Sequence, residues 1–110
     1  MTENKKVRVL HYPRAEKKIA VKMIDRMIDR ENLIDGLERI GLRKEEIKCR
    51  VFCGGKVVMY YNESESYAPS LSINGAVYRG DVVFIGMSSS GAVDLSANQI
   101  RAIKAVVKGV

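Results

Sequence analysis

The chain has 110 residues, 46% of them hydrophobic and 29% charged, with a formal net charge of +6. That length and apolar content can build one hydrophobic core, so a single domain over 1–110 is expected. No apolar run approaches the roughly 20 residues of a membrane-spanning helix, and the N-terminus lacks the apolar centre of a secretory signal, so a cytoplasmic protein with no membrane partner is expected.

The charge is uneven. Residues 5–30 hold nine Lys or Arg against three acidic residues, which accounts for the whole excess. Concentrated positive charge favours polyanionic partners: nucleic acid, nucleotides or an acidic protein surface. A solvated, soluble surface explains it equally well.

Residues 6–12 alternate, with Val7, Val9 and His11 on one face and Arg8, Leu10 and Tyr12 on the other. Period two predicts a strand. Pro13, Arg14 and Ala15 break it, and residues 18–24 return as its hairpin partner. A rival reading makes 19–28 a helix; the strand is preferred, turning helical near Asp29. Over 30–40, Leu33, Ile34, Leu37 and Ile40 form one helical stripe, with Asp29 as the amino cap and Gly41 as the carboxyl stop.

A second hairpin follows. Residues 47–53 alternate, Gly54-Gly55 make a tight turn, and 56–61 run back. Val51 then faces Val58 and Cys49 faces Tyr60. The surface with Ile47, Cys49, Val51, Cys53, Val58 and Tyr60 is expected against the core. The other carries Lys48, Arg50, Phe52, Val57, Met59 and Tyr61. Four residues of strand would separate Cys49 and Cys53 by about 13 Å, and a disulfide needs their Cα atoms within ~7 Å. Both are expected as buried, reduced core residues.

Residues 62–69 read as an acidic polar loop. Asn74-Gly75 suits a type I′ turn between strands at 71–73 and 76–78. The run Val82-Val83-Phe84-Ile85 predicts a strand buried on both faces, entered through Arg79-Gly80. Ser96 and Gln99 form a capping box for a terminal helix. That helix sets Ile100, Ile103 and Val107 on one side and Arg101, Lys104 and Lys108 on another. The fold class is α+β: a mainly antiparallel sheet of five to six strands with two helices packed on one face.

Catalytic parts are lacking. His11 is the single histidine, and its place in an alternating strand suits a satisfied, partly buried side chain. No serine sits in a nucleophile-elbow context. Glu63 and Glu65 have no acid–base partner, and the glycines match neither phosphate-loop nor dinucleotide spacing. Arg79-Gly80-Asp81 spells an adhesion tripeptide, but here it introduces a core strand. With one histidine and no second cysteine pair, no metal site is expected. No catalytic residue and no cofactor are assigned, and the protein is expected not to be an enzyme.

What remains is binding. Lys48 and Arg50 interleaved with Phe52 and Tyr61 could hold phosphates and stack bases. Lys17, Lys18 and Lys22 in the basic N-terminal segment, and Arg101 and Lys104 on the last helix, could join a surface for nucleic acid or an acidic partner. The plainer alternative is that a helix covers Phe52, Val57 and Met59, leaving Lys48 and Arg50 as rim.

Three strings together resemble a family. They are Gly-Lys-Val-Val-Met-Tyr-Tyr-Asn-Glu at 55–63, Tyr-Arg-Gly-Asp-Val-Val-Phe-Ile-Gly at 78–86 and Asp-Leu-Ser-Ala-Asn-Gln-Ile at 94–100. The family is one of small uncharacterised proteins of phages and conjugative elements of gut bacteria. Its members are usually acidic, with serine where Asp94 stands and an acidic residue where Asn98 stands. The resemblance implies a mobile-element setting, where small lone domains block host defence. It points to a non-enzymatic inhibitor, of anti-CRISPR or anti-restriction type, acting on a host nucleic-acid-processing protein. The basic charge excludes DNA mimicry and points to an acidic protein surface, a guide RNA or nucleic acid. A small DNA- or RNA-binding module is the alternative.

Overall fold

The computed structural model of the protein describes residues 6–13, 15–16, 18–25, 30–43, 47–62, 67–89 and 91–109. Strand β1 (Lys6–Tyr12) pairs antiparallel with β2 (Ala20–Asp25) and is followed by helix α1 (Arg30–Ile40). Strands β3 (Ile47–Phe52) and β4 (Val57–Asn62) flank a single 3₁₀ turn at Cys53–Gly55. Then come β5 (Pro69–Ile73), β6 (Ala76–Arg79), β7 (Val82–Ser88), β8 (Gly91–Val93), α2 (Ala97–Val106) and β9 (Val107–Gly109). Six strands form one sheet in the order β2-β1-β7-β4-β3, with β8 also paired to β7. Strands β6-β5-β9 form a second sheet. Every pairing is antiparallel, and the class is α+β.

Strand β7 is central because its sequence is apolar on both faces. Val82 and Phe84 enter one cluster with Leu10, Tyr12, Val57, Met59, Leu71, Ile73, Tyr78, Leu95 and Ile103. Val83 and Ile85 enter another with Val7, Val9, Leu37, Leu42 and Ala92. Each fully buried aliphatic or aromatic side chain contributes about 1.5–3 kcal/mol, so neither face can be left to water. Helix α1 covers the second face through Leu33, Leu37 and Ile40. Helix α2 covers the first through Ile100, Ile103 and Val106, together with the second sheet. The expected packing of both helices on one face is thereby corrected. A sheet whose middle strand is apolar on both sides needs a layer on each.

Local chemistry explains the joints. Helix α1 stops where Gly41 N reaches the carbonyls of Leu37 and Glu38 at 3.2 and 3.1 Å, and Leu42 N bonds Leu37 O at 3.1 Å. Gly41 has φ +130, and a Cβ there would lie 2.7 Å from Asp81 Oδ2; only glycine ends the helix in that space. Asn74 (φ 50) and Gly75 (φ 86) make the type I′ turn between β5 and β6. The capping box of α2 is complete: Gln99 N donates to Ser96 Oγ at 3.1 Å and Ser96 N to Gln99 Oε1 at 2.8 Å. Just before it, Leu95 N donates to Arg8 O at 3.1 Å and Arg8 N to Asp94 Oδ1 at 2.7 Å, tying the helix start to β1.

The terminal helix is shorter than its pattern suggests. It ends at Val106, and Val107 pairs with Ile73 and Lys108 with Ser72 as β9. The β-branched pair Val106-Val107 meets an open edge of β5, and sheet pairing replaces the last helical turn. Lys108 therefore leaves the helical row that was expected to run on from Arg101 and Lys104.

Candidate functional site

The Gly54-Gly55 hairpin has the expected register, with Val51 opposite Val58 and Cys49 opposite Tyr60. Both faces contribute to the core: Ile47 and Tyr60 pack against the α1-side cluster as expected, but the middle of β3 does not. Val57 and Met59 are fully buried, while Val51 is 62% exposed and Cys49 is an exposed free thiol. The surface with Phe52, Val57 and Met59 is the one the second sheet covers, because Leu71, Ile73 and Tyr78 pack there. The Cys49 prediction of a core residue is thus overturned: β3 is an edge strand, and the α1 layer does not reach its middle. The Cys53 side chain lies outside the described set.

Lys48, Arg50, Phe52 and Tyr61 share the face that carries the second sheet. Phe52 stands edge-on to Phe84, ring centroids 6.0 Å apart, and Tyr61 edge-on to Tyr78 at 5.0 Å. Both rings are part-buried and pack on the core cluster, so they serve the core and offer no open platform for stacked bases. The two cations stay exposed. Arg50 Nη1 donates to Tyr78 Oη at 2.5 Å. That bond pushes the guanidinium pKa further up, so Arg50 is a fixed charge. The rim outcome fits, with a sheet doing much of the covering that was expected of a helix.

The remaining cations do not join them. Lys22 sits on β2, at the opposite edge of the sheet, and opposite Val9 in register. It therefore shares the α1 face, four strand spacings or about 19 Å away. Lys18 is exposed in the bend before β2, and Lys17 lies outside the described residues. Arg101 and Lys104 are exposed on α2, and Arg101 Nη1 donates to Asn98 Oδ1 at 3.2 Å. The described sites singled out from sequence are thus spread over β2 and the bend before it, β3, β4 and α2, with Lys48 and Arg50 paired on one strand face and Arg101 and Lys104 one helical turn apart.

Sequence reasoning missed a further cationic group. The Arg43 guanidinium lies over the Tyr67 ring, 5.8 Å from its centroid, and Arg79 Nη1 donates to Tyr67 O at 2.9 Å. Buried Asn62 fixes Arg43: its Oδ1 accepts from Arg43 N and its Nδ2 donates to Arg43 O, both at 2.8 Å. These contacts join residues far apart in the chain, so no local pattern announces them.

His11 is 2% exposed, with Nε2 at 2.8 Å from Asp81 Oδ2. Its Nδ1 has no hydrogen-bond partner among the described residues. The Arg79-Gly80-Asp81 tripeptide is turned inward: Gly80 is buried, Arg79 holds Tyr67, and Asp81 holds His11. Among the described residues, no three His, Cys, Asp or Glu side chains come together as a metal site. No described helix is long and apolar enough to cross a membrane. Compared with family models, curated proteins and solved structures, the chain matches none.

Proposed function

We propose that the protein is a non-enzymatic binding protein of a phage or other mobile element. It docks on an acidic surface of a host nucleic-acid-processing protein in the cytoplasm and blocks it, in the manner of an anti-CRISPR or anti-restriction inhibitor. The observation that carries this reading is the distribution of charge. Lys48 and Arg50 stand as a compact pair on an edge strand, while Lys22 lies at the opposite edge on the other face and Arg101 and Lys104 belong to a different element, α2. A nucleic-acid groove needs a continuous basic track with open rings, and Phe52 and Tyr61 are spent on the core.

The mobile-element setting rests on the resemblance of the 55–63, 78–86 and 94–100 strings. The test is capture of host proteins with the tagged chain, followed by nuclease assays with and without it. Saturable capture of a nuclease and loss of cleavage are expected; no capture and unchanged cleavage would overturn the reading. Direct DNA or RNA binding is the second reading, favoured by two further cations, Arg43 and Arg79, that meet at the Tyr67 ring and backbone. It requires a mobility shift at low salt that fades steeply as salt rises.

A further inference from the structure

Strand β3 ends the large sheet and, among the described residues, pairs with β4 alone. An edge strand presents one row of unpaired N–H and C=O groups. What distinguishes β3 is that Lys48, Cys49, Arg50 and Val51 are exposed one after another, on both faces. An added strand would find room for side chains above and below. The other outer strand, β2, carries exposed Val21 and Met23 on one face and Lys22 on the other, so no cation pair shares a face there.

We infer that the free edge of β3 is a strand-addition site for an extended acidic segment of the partner protein. This rests on the reading of the protein as a binder of an acidic surface. Lys48 and Arg50 lie two residues apart on one face, about 6.6 Å along the strand. A strand laid antiparallel on this edge places its own alternate residues opposite them at the same interval. Carboxylates at those positions make two cross-strand ion pairs, while the main chain supplies the hydrogen bonds. Exposed ion pairs are individually weak, so they choose the register and the sign of the partner, and the backbone supplies the hold. Arg50 is already braced by Tyr78, which lowers the cost of fixing its side chain.

The same charges disfavour the registers in which a second copy of this chain would centre on the cation pair. Antiparallel pairing of two β3 edges about Cys49 sets Lys48 against Arg50 twice, and pairing about Arg50 sets arginine against arginine. Like charges directly opposite destabilise a sheet. A foreign strand of opposite charge meets no such repulsion, and charge complementarity favours it as the occupant.

The test uses the full chain in ¹⁵N NMR with three probes: a short extended peptide alternating Glu with Thr and Val, its Lys-for-Glu counterpart, and oligo-dT. The acidic peptide is expected to shift resonances of Ile47–Phe52 and slow exchange of their outward amides. The Lys peptide should do neither, and oligo-dT should not slow that exchange. In the double variant Lys48→Glu, Arg50→Glu, preference should switch to the Lys peptide; both positions are exposed, and an unchanged melting curve verifies the fold. Shifts elsewhere, unslowed β3 amides, or equal protection by oligo-dT would overturn the inference. A chain that blocks its nuclease with unslowed β3 amides refutes strand addition alone. A chain that protects β3 with the acidic peptide but captures no host protein refutes the inhibitor reading alone.

Discussion

Replacing Tyr12 by phenylalanine is expected to stabilise the protein. Tyr12 is 2% exposed in the cluster under the second sheet, and its hydroxyl has no hydrogen-bond partner among the described residues. A buried hydroxyl without a partner costs about 1–3 kcal/mol in desolvation, and removing it restores that energy. Taking the lower end, Tyr12→Phe should raise stability by about 1 kcal/mol, or about 4 °C in melting temperature for a chain of this size. Burial also pushes the Tyr12 pKa up from its ordinary value. Above about pH 10 the unfolded chain releases that proton while the folded chain keeps it. The native state then binds more protons, and stability falls as pH rises, by up to ~1.4 kcal/mol per pH unit.

The contribution is intact below about pH 10 and lost above it, so the advantage of Tyr12→Phe should widen in alkaline solution. Gly109 gives an internal control, because a Cβ there would stand 3.0 Å from the Tyr12 hydroxyl. Gly109→Ala should destabilise the native chain and be better tolerated beside Phe at position 12, with a coupling of about 0.5–1.5 kcal/mol. Thermal melts of the four chains at pH 7 and pH 10.5 measure all of this. A Tyr12→Phe chain that melts lower at pH 7, with no coupling to Gly109, would refute the reasoning.

Three further outcomes follow from the packing. Gly86→Ala would place a Cβ 2.7 Å from Val93 O; backbone cannot yield cheaply, so a loss of about 1–3 kcal/mol and faster amide exchange in β8 are expected. Asn62→Ala leaves the Arg43 N–H and C=O without their side-chain partners, and denaturant unfolding should show a loss of about 1–3 kcal/mol. Ser96→Ala removes the cap of α2 and should cost about 1 kcal/mol, read by melting and by fraying of the first helical turn in NMR.

Much of the local structure was legible from the chain. Asn74-Gly75, Gly54-Gly55 and the Ser96–Gln99 box announce their turns and cap because the relevant forces act over a few residues. The β3–β4 register followed for the same reason. The Lys48 and Arg50 pair was visible as alternation, yet its companions were not: Tyr78 reaches Arg50, and Tyr67 reaches Arg43, only through the fold.

The sequence by itself determined a strand apolar on both faces around residues 82–85, the hairpins around it, the stop of α1 at Gly41 and the start of α2 at Ser96. These depend on periodicity and turn chemistry. The expected cap at Asp29 lies outside the described residues. Only the tertiary structure decided how deeply each face of β3 and β4 is buried, since both carry apolar residues and Leu71, Ile73 and Tyr78 cover the face of Val57 and Met59 while α1 leaves Cys49 and Val51 open. It also drew Val107–Gly109 into a strand, because the edge of β5 was there to receive it. It spread the cations over separate elements for a related reason: each charge goes wherever its own strand or helix leaves it exposed, and the layers that cover the sheet come from distant parts of the chain.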